Sequence, residues 1–297
     1  KFGTNFSGAT VFVNPGFLEC NIYRKYIMFF AHHSGMFLRV ATSDNPFSDW
    51  TFPDLEILSI GKFEEFYDHI ASPEVLVEMG SKTLNLFFHS RVPGSREQQT
   101  FLAKSKDGVK FEITPMESFL PFYFRLVTHR GSIFGMTKGG NLFSHFGDNL
   151  SKGWKYLDNL DFPGLGFRKL NYFNDVGNIR HAHMISYKGN LLIFYTRIGD
   201  LPEQIYVRLI TLEIEKNLMA ISEQMEVMRP RSPFECQLAL PVKSQPGPSE
   251  NFELAIRDPF VFIEEDIKLL YYSYGGESGI GVCTIDLDSI VEKLGIG

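Results

Sequence analysis

The chain has 297 residues, 44% hydrophobic and 22% charged, with a formal net charge of −6. This is globular composition, long enough to bury most apolar surface without staples. It excludes disordered and collagen-like chains, and the charge disfavours nucleic-acid binding through a basic field; no apolar run reaches the roughly 18 residues that span a bilayer.

Cys20, Cys236 and Cys283 show no CxxC spacing, so neither a disulfide framework nor a cysteine metal centre is expected. Cys20 and Cys283 are expected as buried thiols. The chain starts at Lys1 and shows no charged head with an apolar core of the signal-peptide kind. The expectation is a soluble protein, in the cytoplasm rather than secreted.

With 29 Phe and 12 Tyr against 2 Trp, the composition favours pleated, half-buried surfaces. Short apolar runs alternate with Gly, Asp, Asn, Ser and Pro, which is an all-β pattern. Thr10–Val13 comes first and is expected to add an outer strand to the last sheet. One module then recurs five times. It has a short opening strand, a tight polar turn, an aromatic strand and a third strand.

In chain order the modules open at Asn14-Pro15-Gly16-Phe17, Ser72-Pro73-Glu74-Val75, Tyr123-Phe124-Arg125-Leu126, His181-Ala182-His183-Met184 and Asp258-Pro259-Phe260-Val261. The aromatic strands are expected at Tyr26–Ala31, Leu84–His89, Ser132–Thr137, Leu191–Thr196 and Lys268–Ser273. Third strands follow near residues 38–44, 100–105, 141–144, 206–212 and 279–285. Tyr195 follows His181, and Tyr272 follows Asp258, at the same separation of 14 residues. Helical patterning is confined to two short stretches, Ile221–Met228 and Leu287–Leu294. Met228–Glu250, rich in Pro and polar residues, reads as an extended loop.

The openings are 58, 51, 58 and 77 residues apart. Units of this size with three or four antiparallel strands are propeller blades. The expected fold is a single five-bladed β-propeller, with blades at 14–67, 68–118, 119–176, 177–250 and 251–287 and with 1–13 closing the ring. A two-sheet sandwich is the competing architecture, and it gives no reason for five aligned openings.

In a propeller the first strand of each blade lines the central channel, and alternate residues share a face. The first position of each opening gives Asn14, Ser72, Tyr123, His181 and Asp258; the third gives Gly16, Glu74, Arg125, His183 and Phe260. Polar groups converging in a hollow form a candidate site. Arg125, Arg180 and Arg257 favour an anionic ligand. His181 and His183 share a strand face and read as sugar contacts, with a metal the lesser reading. Tyr123 reads as a stacking platform. Loop candidates are Asp68 and His69 before the second blade, Arg197, Asp200 and Glu203 after the fourth blade's aromatic strand, and Glu277 in the turn Gly275-Gly276-Glu277-Ser278-Gly279. That glycine run lacks a following Gly-Lys-Ser/Thr and is no phosphate loop.

Arg257-Asp258-Pro259-Phe260-Val261-Phe262 with Leu270-Tyr271-Tyr272-Ser273, Ala71-Ser72-Pro73-Glu74-Val75, and Val40-Ala41-Thr42-Ser43-Asp44 together resemble the five-bladed propeller glycoside hydrolases. That superfamily includes glycoside hydrolase family 43 (arabinanases and β-xylosidases) and the invertase/levansucrase group. Phe122-Tyr123-Phe124-Arg125, Arg180-His181-Ala182-His183 and Arg197-Ile198-Gly199-Asp200-Leu201-Pro202-Glu203 look like a less characterised bacterial subgroup.

The resemblance implies cleavage of a glycosidic bond by paired carboxyl groups, one protonating the leaving oxygen and one activating water or attacking the sugar. On it, Asp258 is the expected base or nucleophile and Glu74 the expected acid. Asn14 stands where arabinanase-type enzymes place an Asp. Glu235-Cys236 precedes the Arg-Asp-Pro triplet, the reverse of the invertase order, and reads as a chance match. The expected partner is an oligo- or polysaccharide, with no nucleic acid or membrane; oligomeric state is left open. No metal site and no cofactor are expected. The resemblance implies a channel calcium in some members, and the chain has no dedicated loop for one. A non-catalytic carbohydrate-binding propeller, or a glycosyl transferase or phosphorylase on the same fold, is the alternative.

Overall fold

The computed structural model describes residues 5–18, 20–32, 35–62, 68–92, 94, 97–117, 119–159, 168–169, 178–213, 218–231, 239–249 and 251–295. The chain divides into two units, Lys1–Phe124 and Arg125–Gly297.

The first unit holds two four-stranded antiparallel sheets, each in sequential order. One contains β1 (Ser7–Val13), β2 (Tyr26–Ala31), β3 (Leu38–Ser43) and β4 (Glu56–Ile57). The other contains β5 (Ala71–Glu78), β6 (Thr83–Arg91), β7 (Gln98–Ser105) and β8 (Glu112–Thr114). The β2 sequence YIMFFA is apolar throughout because both of its faces are buried. Ile27 and Phe29 share a core with Phe12, Leu38, Val40, Leu84, Leu86 and Phe88. Phe12 meets Phe29 edge-on at 5.2 Å, a favoured aromatic geometry.

The second unit holds three sheets. β9 (Arg125–His129), β10 (Ser132–Met136), β11 (Asn141–His145) and β12 (Trp154–Asn159) form the first in sequential order. The next contains β13 (Arg168–Lys169), β14 (Ile179–Tyr187), β15 (Asn190–Arg197), β16 (Ile205–Glu213), β17 (Leu218–Ile221) and β18 (Met225–Met228). In it β14, β15 and β16 run side by side, and β17 and β18 both pair with β16. The last contains β19 (Ile256–Glu264), β20 (Ile267–Tyr274) and β21 (Gly279–Thr284). Helix α1 (Leu287–Leu294) is capped by Asp286, which accepts from the Ser289 N–H at 3.0 Å. Its Leu287, Ile290 and Leu294 join a core with β15, β16, β19 and β20, and no helix among the described residues is long and apolar enough to cross a membrane.

All five aromatic strands lie where the sequence places them, and so does α1. Three expectations fail. Ser7–Val13 pairs with β2 and opens the first sheet, so it does not extend the last one. The first sheet therefore spans residues 7–57, and the expected boundary at 14 falls after its opening strand. Ile221–Met228 is the end of one strand and an in-line second strand, joined through residues 222–224, rather than a helix; both run antiparallel to β16, with Met225 and Val227 alternating with Glu226 along its edge. Cys20 and Cys283 are only half-buried; Glu235 and Cys236 lie outside the described residues.

Candidate functional site

Four of the five opening strands share one irregularity. Between Ser7 and Thr10, Ala71 and Glu74, Ile179 and Ala182, and Arg257 and Phe260, the opening strand advances three residues while its partner advances two. This is a β-bulge, which re-aims side chains and often borders active sites. The second residue of the bulge has a left-handed backbone at Gly8 (φ 62°), Ser72 (φ 49°) and Asp258 (φ 50°), and Tyr123 just before β9 matches them (φ 61°). For a non-glycine residue that conformation costs on the order of 1–2 kcal/mol, strain that tends to gather at functional sites.

The bulge corrects two alignments made from sequence. Arg257 pairs with Ser273 and Ile179 with Arg197, so the counterpart of Asp258 is Arg180, one residue before His181. In the first sheet the counterpart is Gly8, and Asn14 lies beyond the far end of β1. There Asn14 accepts from the Gly16 N–H at 3.0 Å and donates to the Arg24 carbonyl at 3.3 Å, shaping the loop to β2. Pro15 sits in that loop, where no ladder hydrogen bond is lost.

In the second unit the candidates gather around Glu203, which is fully buried. Its Oε2 accepts from Arg180 Nη1 at 2.8 Å and Ser244 Oγ at 2.9 Å, and lies 3.0 Å from Arg257 Nη2. Arg180 also donates to Ser244 Oγ at 3.0 Å and to the Gly247 carbonyl at 2.7 Å. Arg257 donates to Ser249 Oγ at 2.7 Å, Glu253 at 2.9 Å and Glu277 at 3.4 Å. Arg180 and Arg257 are only 3% and 1% exposed. Burial pushes the Glu203 carboxyl up from its usual range, while Arg257 and Arg180 pull it the other way. Burial also opposes the charge on Arg257, but Glu203, Glu277, Glu253 and Asp258 together hold that guanidinium above its ordinary value.

Asp258 and His181 meet at the edge of this cluster. Asp258 is 3% exposed. His181 Nε2 lies 3.6 Å from Asp258 Oδ1, and its Nδ1 lies 3.8 Å from Glu203 Oε1. The site thus brings together Arg180, His181, Glu203, Arg257, Asp258 and Glu277, drawn from two strands and two loops.

Other candidates do different work. His183 Nδ1 accepts from the Val261 N–H at 3.0 Å, and its ring packs on Phe260 at 4.2 Å. Burial, then the nearby Arg125 charge, hold its pKa well below the usual histidine value. It is a neutral ring joining β14 to β19, not an exposed sugar contact. Arg125 has no exposed surface and Tyr123 is buried, so neither presents a face to solvent. Arg197 Nε lies 3.7 Å from Asp200 Oδ1, and Arg197 shares Gln224 with Tyr195. Burial raises the Asp200 carboxyl, with Tyr206 and Arg197 opposing. In the first unit, Asp68 contacts His69 Nδ1 at 2.5 Å and Arg91 at 2.9 Å, while Glu74 is buried opposite Phe87.

Sequence reasoning missed Ser244, Gly247, Ser249, Glu253 and Lys138. The first three come from the stretch read only as an extended loop. It is fastened by Gly199 N–H to the Ser244 carbonyl and by Ser244 N–H to the Asp200 carbonyl, both at 2.9 Å. Glu253 carried the one available signal, four residues before Arg257. Lys138 follows β10; burial and the nearby Arg180 lower its pKa. Gly276 (φ 64°) admits the loop's return: a Cβ there would lie 2.7 Å from the Asn251 carbonyl oxygen and 2.9 Å from Ser249 Oγ. Among the described residues no group of three or more His, Cys, Asp or Glu side chains is arranged to hold a metal.

No protein-family profile matches the chain. Among solved structures it is similar to a glycosyl hydrolase from Bacteroides ovatus, with a TM-score of 0.63 at 11% identity, covering 96% of this chain and 85% of that one. It is also similar to an exo-1,5-α-L-arabinanase from a bovine ruminal metagenomic library, with a TM-score of 0.55 at 13% identity, covering 88% of this chain and 89% of that one. The fold is the five-bladed β-propeller. Its five sheets are the blades, and the solved propellers it resembles are glycoside hydrolases. In sequence, it is 26% identical over 300 residues to the uncharacterized protein R118 of Acanthamoeba polyphaga mimivirus, covering 93% of this chain and 82% of the viral protein.

Proposed function

We propose that this propeller cleaves a glycosidic bond in an uncharged saccharide, with Asp258 as the base or nucleophile. The observation that carries the reading is the Asp258 carboxylate itself. It is buried, held on a left-handed bulge residue, and set 3.6 Å from the His181 ring. A strained, buried acid beside a titratable partner is what acid–base chemistry at a sugar uses. The glycoside hydrolases among the solved structures of this fold support the same reading. Glu74 of the first unit is retained as a separate proposal for the proton donor, since Glu203 and Glu277 are tied to arginines.

An anionic sugar is disfavoured. Arg180 and Arg257 direct their guanidinium donors at Glu203, Glu253, Glu277, two serines and a backbone carbonyl. An acidic or sulfated ligand would have to compete with those carboxylates. The same spent donors weigh against a phosphate pocket of the phosphorylase kind.

The second reading is carbohydrate binding without cleavage. It is favoured by Gly8, which gives the first sheet no side chain at the position Asp258 occupies in the last. A panel of neutral and acidic oligosaccharides, assayed in parallel for binding and for released reducing ends, tests both. Release from a neutral glycan supports hydrolysis; binding without release supports the second reading; release confined to acidic glycans refutes the charge argument.

A further inference from the structure

We infer that His181 holds a proton between Asp258 and Glu203 and is thereby a positioning residue for Asp258, an inference that rests on the assignment of Asp258 proposed above. The geometry is one ring nitrogen per carboxylate: Nε2 at 3.6 Å from Asp258 Oδ1 and Nδ1 at 3.8 Å from Glu203 Oε1. A protonated imidazole carries a donor on each nitrogen, whereas the neutral ring must turn a lone pair toward one of them. Glu203 Oε2 is occupied by Arg180, Arg257 and Ser244, which leaves Oε1 as the side that meets the ring.

His183 supplies an internal contrast. It lies two residues further along β14 and is buried, whereas the His181 side chain keeps 11% exposure. Its charged neighbour is Arg125, and its Nδ1 accepts a backbone N–H, so the ring is neutral. His181 meets the opposite surroundings: Asp258 from β19 and Glu203 from the segment between β15 and β16, with Arg180 and Arg257 behind Glu203 and Lys138 near Arg180. Burial disfavours a charged imidazole, and two carboxylates within 4 Å favour it. An imidazolium beside Asp258 in turn favours the carboxylate form, keeping a base or nucleophile ionised to lower pH and fixing the oxygen it faces. No proton leaves the ring in this role.

The test is a nitrogen-15 titration of the histidine rings in the full chain, comparing wild type with Asp258→Asn and Glu203→Gln, and assigning His181 by its loss in His181→Gln. Both His181 nitrogens are expected in the protonated form at neutral pH in wild type, with one proton lost at the same pH in Asp258→Asn. A neutral ring in wild type, or a protonation state that Asp258→Asn leaves unchanged, overturns the inference. Asp258→Asn suffices for this comparison if Glu203→Gln does not fold. A kinetic arm separates positioning from mere packing. His181→Gln keeps a hydrogen-bonding side chain and loses the charge, so the acid limb of the pH–rate profile should move to higher pH, with kcat reduced and KM unchanged. An acid limb that does not move, alongside measurable turnover, also overturns it. The ring titration needs no substrate: a protonated His181 in a chain that releases no sugar would refute the assigned reaction and leave the proton bridge standing.

Discussion

Glu203→Gln probes the electrostatics of the site directly. The substitution keeps the shape of the side chain and removes one negative charge from beneath two guanidiniums, at 2.8 and 3.0 Å. Arg180 keeps Ser244 and the Gly247 carbonyl, and Arg257 keeps Glu253 and Glu277. Breaking a buried ion pair from one side costs about 3–5 kcal/mol, and the remaining partners place this case near 3. The chain has two tryptophans. With Trp50 replaced by Phe, the buried Trp154 of β12 reports on the second unit alone. Urea unfolding followed by its fluorescence should show a loss of about 3 kcal/mol relative to the Trp50→Phe parent. A loss below about 1 kcal/mol would mean that Glu203 is already neutral in the folded protein, since glutamine then replaces an uncharged group of the same shape. The ion-pair account would be refuted.

Gly276→Ala should destabilise by roughly 1–3 kcal/mol, through left-handed strain and a Cβ driven against the Asn251 carbonyl; urea midpoints measure it, and an unchanged midpoint would show that the turn and the loop part freely. His183 predicts a pH dependence. Its folded pKa lies below the unfolded value of about 6.5, so its contribution is complete above that pH and is lost as pH falls toward the folded value, with a limiting slope of about 1.4 kcal/mol per pH unit. Stability measured between pH 5 and 7 should fall less steeply in His183→Gln, and an identical slope would contradict the neutral ring. Glu74→Gln should abolish sugar release while sparing binding if Glu74 is the proton donor, and undiminished release would remove it from that role.

The sheets were legible because each blade is built on a strand apolar on both faces, such as Tyr26–Ala31. Such runs survive any error in local counting. The openings were less legible, for two physical reasons. Beyond the bulge that both share, the β14–β15 hairpin is one residue longer on each strand than β19–β20, so that Ala182 faces Tyr195 where Phe260 faces Tyr271, and the equal spacing of His181–Tyr195 and Asp258–Tyr272 hid a one-residue slip. The first opening, Ser7-Gly8-Ala9-Thr10, meets its backbone demand with glycine and so carries none of the polar and proline signal used to find the others. Asp258, His181, Glu203, Arg180, Arg257 and Glu277 were all recognised as candidates, although the arginines turn out to grip carboxylates rather than await an anion. Ser244 and Ser249 were out of reach. Their positions depend on how a long irregular loop folds back, and no periodicity records that.

Asp258→Asn tests the central claim most directly. Asparagine tolerates a left-handed backbone as aspartate does, so the variant should fold, with a urea midpoint lowered because Arg257 and His181 each lose a carboxylate neighbour. On a neutral oligosaccharide that the wild-type chain cleaves, binding should persist while release falls by roughly 10²- to 10⁴-fold. Equal release by the two proteins would contradict the account and take the chemistry away from Asp258.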